Sequence, residues 1–127
     1  MKRLKAMHHD WEIHCSDQTE AAKVAANWKG PYHICSAYKL PFADNFFTTV
    51  TASQCLEYFE HPDLFIHEAM RVADYFVCTH PILEMKNWSQ LRSWSEKDMQ
   101  DWIGQYADIL HFDKVPGLML VKAKFKK

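Results

Sequence analysis

Two strand-like runs flank one helix-like run, and that order decides the fold class. Residues 46–52 and 75–79 are rich in β-branched and aromatic side chains, the composition of buried strands. Between them, Leu64, Phe65, Ala69 and Val72 make the apolar stripe of a helix over 63–72, with Pro62 near its first turn. A strand, a helix and a second strand in that order let the strands lie parallel with the helix as crossover.

The flanking sequence extends this pattern. Residues 11–15 alternate like a short strand, and Thr19 is a helix cap with Glu20 in the first turn. Ala21, Val24, Ala25 and Trp28 form one helical face, which Gly30 and Pro31 close. Residues 32–35 read as another strand. A helical turn follows at 56–59, and residues 82–94 read as a loop or irregular helix carrying Trp88 and Trp94. Ser95 to Asp98 resembles a capping box, opening a helix with Met99, Trp102, Ile103 and Tyr106 on one face. Residues 109–115 and 118–125 flank Pro116-Gly117, a hairpin signal. Together these predict one α/β domain over 1–127, a Rossmann-like three-layer sandwich ending in an antiparallel hairpin, with 1–10 as a flexible arm.

Composition narrows the function classes. Net charge is −1, and the alternate Lys122, Lys124 and Lys126 suit the wet face of a strand, so no nucleic-acid footprint is expected. No apolar run is long enough to span a membrane. Cys15, Cys35, Cys55 and Cys78 are widely spaced, without a Cys-x-x-Cys or a signal peptide, which predicts reduced thiols in a cytoplasmic-type compartment. His8, His9, Asp10, His14 and Cys15 could ligate a divalent metal by type, but their spacing matches no standard zinc pattern, and no metal is expected. Cys55 follows a strand, where α/β folds place nucleophiles, yet it has no evident base partner and reads as a buried thiol. Glu57 reads as a water-facing residue.

Residues 40–50, LPFADNFFTTV, then LEY at 56–58, then Glu68-x-x-Arg71-Val72 and the strand ending in Thr79-His80-Pro81 resemble class I S-adenosylmethionine-dependent methyltransferases of the type 11 group. The resemblance implies a mostly parallel sheet with the methyl donor at the carboxyl ends of the strands. By that resemblance, Asp17 matches the acidic residue that binds the ribose hydroxyls. Ser36, with Ala37 beside it, occupies the position facing the adenine amino group, and Leu40 and Phe42 match the apolar residues near the adenine. His80, at the end of a strand, is the candidate general base, because histidine as a residue type titrates near neutrality.

Several positions depart from the family pattern. Nothing before Trp11 resembles the family's first strand with its Asp-x-Gly-x-Gly loop, and the chain holds three glycines in all. Thr48 stands where the family has Asp, and Tyr58 where it has His. The Gly-rich turn after Val72 is shortened to Ala73-Asp74. The reading is therefore a methyltransferase-like protein with a degraded S-adenosylmethionine site, non-catalytic or completed by a partner. The alternative is an active methyltransferase on a small-molecule acceptor. Losing a central strand leaves two outcomes: residues 11–15 move beside 46–52, or another chain fills the gap, as a homo-oligomer or a methyltransferase partner.

Overall fold

The computed structural model describes residues 6–81 and 94–127. They form two compact units, Met1–Pro41 and Phe42–Lys127.

The first unit is built on a two-stranded parallel ribbon. Strand β1, Cys15–Asp17, pairs with β2, Tyr32–Ile34, setting Cys15 opposite Tyr32, Ser16 opposite His33 and Asp17 opposite Ile34. β1 begins where the expected strand ends, so Asp17 is its last residue rather than a loop residue. Helix α1, Ala21–Ala26, is shorter than its sequence pattern suggests, and it buries none of its residues. Val24, expected on the inner face, is 73% exposed. Asn27 ends the helix in the left-handed conformation at φ 50°, a place Asn tolerates. Gly30 is thus not the helix cap. It lies under the Trp28 indole, where an added Cβ would stand 2.4 Å from the ring. Trp28 is the buried anchor of this segment, and its Nε1 donates to the Pro31 carbonyl at 3.0 Å.

The second unit is a four-stranded sheet in the order β3-β4-β6-β5, made by Phe47–Ser53, Ala73–Pro81, Leu118–Phe125 and Ala107–Val115 respectively. β3 and β4 are parallel, with Val50 opposite Phe76 and Ala52 opposite Cys78. The remaining pairs are antiparallel, and Gly117, at φ 82°, supplies the left-handed residue that the Pro116-Gly117 turn requires. The crossover is helix α2, Pro62–Val72, which buries Phe65, Ile66, Ala69 and Val72. Ile66 replaces the expected Leu64, which is 51% exposed. α2 gives way to β4 without a linker, as the shortened Ala73-Asp74 turn demands. Pro81 does not break β4. It is the strand's last paired residue, opposite Leu118, where a missing N–H is tolerated.

The core lies on one face of this sheet. Phe76 meets Phe65 at 6.0 Å between ring centroids and Phe125 at 5.8 Å, while Val121, Ala123 and Met119 complete the layer. Helix α3, Glu96–Gly104, adds Met99 and Ile103. Its expected capping box is present: Ser95 Oγ accepts from the Asp98 N–H, and Asp98 Oδ2 accepts from the Ser95 N–H, both at 3.2 Å. Strand β3 is less buried than its composition suggests, since only Ala52 is fully enclosed and the threonines face outward. Its second edge has no strand partner among the described residues. β1 and β2 form a two-stranded sheet of their own. The expected loop or irregular helix at 82–94 lies outside the described residues except for Trp94.

One carboxylate fastens α3 to α2. Asp63 Oδ1 accepts from Trp102 Nε1 at 2.8 Å and from the Tyr106 hydroxyl at 2.9 Å. Asp63→Ala is expected to lower unfolding free energy by about 1–2 kcal/mol in urea titrations, the range for losing two partly exposed hydrogen bonds. Asp63→Asn, which keeps an acceptor oxygen, should recover most of that loss.

Candidate functional site

Open α/β sheets gather ligand-binding groups at the carboxyl ends of their strands. In the first unit, that end carries Asp17 and the turn after β2. The Cys35 N–H donates to the Asp17 carbonyl at 2.9 Å, so the two strands finish level. Asp17 Oδ1 accepts from the Gln18 N–H at 2.6 Å, and the side chain is exposed. Ser36 Oγ accepts from the Tyr38 N–H at 3.1 Å, and its carbonyl accepts from the Lys39 N–H at 3.2 Å. The serine therefore shapes its own turn and retains a hydroxyl proton and a second lone pair. Ala37 and Leu40 are half-buried in the same unit. The structure brings Asp17 and Ser36 to one end of the ribbon.

Phe42 belongs to the second unit, where it packs on Phe46 at 5.7 Å and on Phe47 at 4.7 Å. Its carbonyl accepts from Arg71 Nη1 at 2.7 Å. Arg71 also donates to both Glu68 oxygens, at 2.8 and 3.0 Å, and to Asp44 Oδ1 at 2.9 Å. Phe42 and Asp44 of LPFAD and the Glu-x-x-Arg-Val segment are thus one hydrogen-bonded structure. Those carboxylates hold the Arg71 guanidinium firmly in its charged form. This network is a brace, and it presents no reactive group.

The carboxyl ends of β3 and β4 hold the chemistry-bearing residues of the second unit. Gln54, just past β3, sits at φ 51°, a left-handed conformation that non-glycine residues adopt at a cost. Its N–H donates to the Thr79 carbonyl at 3.0 Å, fixing the exit of β3 against β4. Cys55 is half-buried, with its thiol donating to the Ser53 carbonyl at 3.2 Å. Burial, and then the neighbouring Cys55, push the Cys78 thiol up to about 12, so it is an inert part of the core.

Glu57 overturns its expected role as a water-facing residue. It sits in a single 3-10 turn, Leu56–Tyr58, and is 1% exposed. Its Oε2 lies 3.5 Å from His80 Nδ1, and His80 is equally buried. His80 Nε2 accepts from the Trp94 N–H at 3.4 Å, and the two rings stack at 5.7 Å. The acceptor role of Nε2 leaves the ring proton on Nδ1, facing Glu57. A turn this short has no helical period, so the sequence carries no signal that its middle residue points inward. His8 stacks on Trp11 at 3.8 Å, and His14 engages Glu12 and His33. Among the described residues no three His, Cys, Asp or Glu side chains converge as a metal cage.

Burial raises the Glu57 carboxyl above the ordinary carboxylate range. With the folded value above the unfolded one, its contribution is fully present below about pH 4 and fades as pH rises through the raised value. Glu57→Gln should therefore gain stability relative to the parent as pH goes from 4 to 7, read from urea midpoints at each pH. Gln54→Gly, which removes the left-handed penalty, should raise stability by up to about 1 kcal/mol in the same titration.

A methyltransferase-domain family matches residues 4–74 of the chain. No curated protein matches. Among solved structures, a Pyrococcus horikoshii protein superposes with a TM-score of 0.78 at 14% identity, over 98% of this chain and 76% of its own. An S-adenosylmethionine-dependent methyltransferase from Aquifex aeolicus gives 0.71 at 15%, over 91% and 69%. A chain in the complex between the Haloferax volcanii Trm112 methyltransferase activator and its candidate methyltransferase gives 0.78 at 13%, over 99% and 78%. These likenesses establish the Rossmann-like α/β fold. No helix among the described residues is long and apolar enough to cross a membrane. With more than half its length matched and the motif residues built into one network, the chain belongs to the methyltransferase-domain family.

Proposed function

We propose that this chain is a methyltransferase-like module whose methyl-donor site is incomplete within the chain, and which acts without catalysis or is completed by another chain. The observation that carries this reading is the second edge of β3, the terminal strand of its sheet. Among the described residues Phe47–Ser53 pairs with β4 on one side only, and its sequence, FTTVTAS, has neither Pro nor a charged residue to guard the second edge. Such an edge is suited to accepting a strand, from a second copy or from a full-length methyltransferase.

The glycines support the same reading. Gly30 lies under Trp28, Gly104 ends α3, and Gly117 turns the terminal hairpin. Gly117 lies at the carboxyl edge after β5 but is taken up by the tight turn into β6, and no glycine directly follows β1, β2, β3 or β4, where close backbone approach to the amino-acid part of S-adenosylmethionine would need it. Asp17 and Ser36 fit the nucleoside part, since a carboxylate and a hydroxyl suit ribose hydroxyls and an adenine amino group. The residues present therefore suit half of the donor. A charged sulfonium with an amino-acid tail needs several fixed polar partners to offset the cost of ordering it. The Haloferax neighbour, solved with an activator, lends weight to completion by a partner.

Native mass measurement paired with calorimetric titration of S-adenosylmethionine and S-adenosylhomocysteine tests the proposal. The isolated monomer should bind either ligand no tighter than about millimolar. Micromolar binding by a monomer would overturn the reading in favour of an autonomous enzyme on a small acceptor.

A further inference from the structure

The four-stranded sheet of the second unit ends in two unlike edges. β5, at one end, carries Asp108, Asp113 and Lys114, and its ladder is interrupted by a bulge between Ile109 and His111. Charges and bulges are the devices that keep an edge strand from pairing with another chain. β3, at the other end, has neither. Among the described residues it pairs with β4 alone, so the backbone groups that alternate residues turn to the second side meet no strand. Thr48, Thr49, Thr51 and Ser53 are exposed, and Val50 is half-buried. An uncharged, accessible run rich in β-branched residues is a ready template for a further strand.

The residues of β3 decide which strand fits. Val50 is the middle residue of Phe47–Ser53. Two copies set antiparallel about it place Val50 opposite Val50, Thr49 opposite Thr51, Thr48 opposite the small Ala52, and Phe47 opposite Ser53. No charge is enclosed, and threonine pairs are among the favourable cross-strand combinations. The faces match as well. Val50 lies opposite the buried Phe76, so Thr49 and Thr51 belong to the face away from that core. Directly opposite residues of an antiparallel pair share a face, so both copies turn their core to the same side. Such a pairing is two-fold symmetric and closes on itself, because the guarded β5 then stands at both ends of the joined sheet.

We propose that β3 is a self-pairing edge: two copies of this chain join antiparallel along Phe47–Ser53, centred on Val50, into one continuous sheet. This deepens the reading in which another chain covers that edge, and it rests on that reading. A strand pair of seven residues buries less than a standard interface, so the dimer is concentration-dependent, with a Kd of about 1–100 μM.

Sedimentation equilibrium on the intact chain, from about 1 μM to about 1 mM, should show monomer passing to dimer and nothing larger. Over the same range, hydrogen-exchange protection of alternate amides within Thr48–Ala52 should rise at least about tenfold, while Phe76 and Val121 stay unchanged. Thr49→Lys combined with Thr51→Lys sets ammonium groups directly opposite one another in this register. Both positions are exposed, so the variant should fold and remain monomeric. Thr49→Glu combined with Thr51→Glu should do the same. Mixing the two variants pairs Lys with Glu at every altered position, and the mixed dimer should be at least about tenfold tighter than either variant alone. A parent that stays monomeric throughout, a Lys variant that dimerises like the parent, or a mixture that does not associate overturns the proposal. Edge amides that gain protection only when a full-length methyltransferase of the family is added assign the edge to that partner and also overturn self-pairing. Titration of S-adenosylmethionine into the monomeric Lys variant keeps the two readings apart. Micromolar binding there refutes the incomplete donor site and leaves the edge pairing standing. A monomeric parent without such binding refutes the pairing alone.

Discussion

Arg71 sets the geometry from which the second unit is built. Its guanidinium grips Glu68, Asp44 and the Phe42 carbonyl, and its own carbonyl accepts from the Asn45 N–H at 2.9 Å. The turn that launches β3 is therefore pinned to the end of the helix that launches β4. This fixes the Phe47–Ala73 pair as the start of the parallel register, and every later pair follows from it. Lys127 reinforces the same corner by reaching Asn45 Oδ1 at 2.7 Å and Asp74 at 3.3 Å. A guanidinium suits the task because its planar fork can satisfy several acceptors at once, which an ammonium on a flexible stem does not match.

Much of the second unit was legible because its signals are local and agree with one another. The β-branched runs gave β3 and β4, the Ser95–Asp98 box gave α3, and Pro116-Gly117 gave the hairpin. The first unit was less legible. An Ala-rich run with a glycine at its end looks like a helix and its cap, but Gly30 serves the Trp28 indole, and Asn27 ends the helix. Six residues of helix are too few to be held by propensity, so where α1 stops is decided by what Trp28 packs on. The inward turn of Glu57 was hidden for a related reason. Periodicity reports burial only over several turns, and Leu56–Tyr58 is one turn long. The motif residues were recognisable as a set, but their spacing does not reveal that Arg71 is the hub joining them.

The packing of the second unit does not depend on glycine. The core of the second unit consists of Phe65, Ile66, Val72, Phe76, Ile103, Met119 and Val121, and none of these needs glycine beside it. Burial of those side chains is the dominant stabilising term, worth roughly 1.5–3 kcal/mol each before entropy is counted. A glycine-rich loop contributes nothing comparable and costs conformational entropy. A chain can therefore lack such a loop and still keep the sheet, whereas losing Phe76 would open a cavity at the meeting point of α2 and β6.

That same comparison makes the Glu57–His80 contact the exception in the core. A carboxylate and an imidazole enclosed at 3.5 Å, with Glu57 Oε2 lacking a hydrogen-bond donor among the described residues, is a poorer arrangement than two apolar side chains of similar volume. Folding stability alone selects against it. Its place, at the carboxyl ends of the two parallel strands beside the left-handed Gln54, is where an α/β sheet concentrates strain and polarity for binding. His80 there accepts from the Trp94 N–H and stacks on its ring, just ahead of α3. The polar pair and the strained residue are thus the parts of this edge that packing does not account for, while the brace around Arg71 and the aromatic core are the parts that it does.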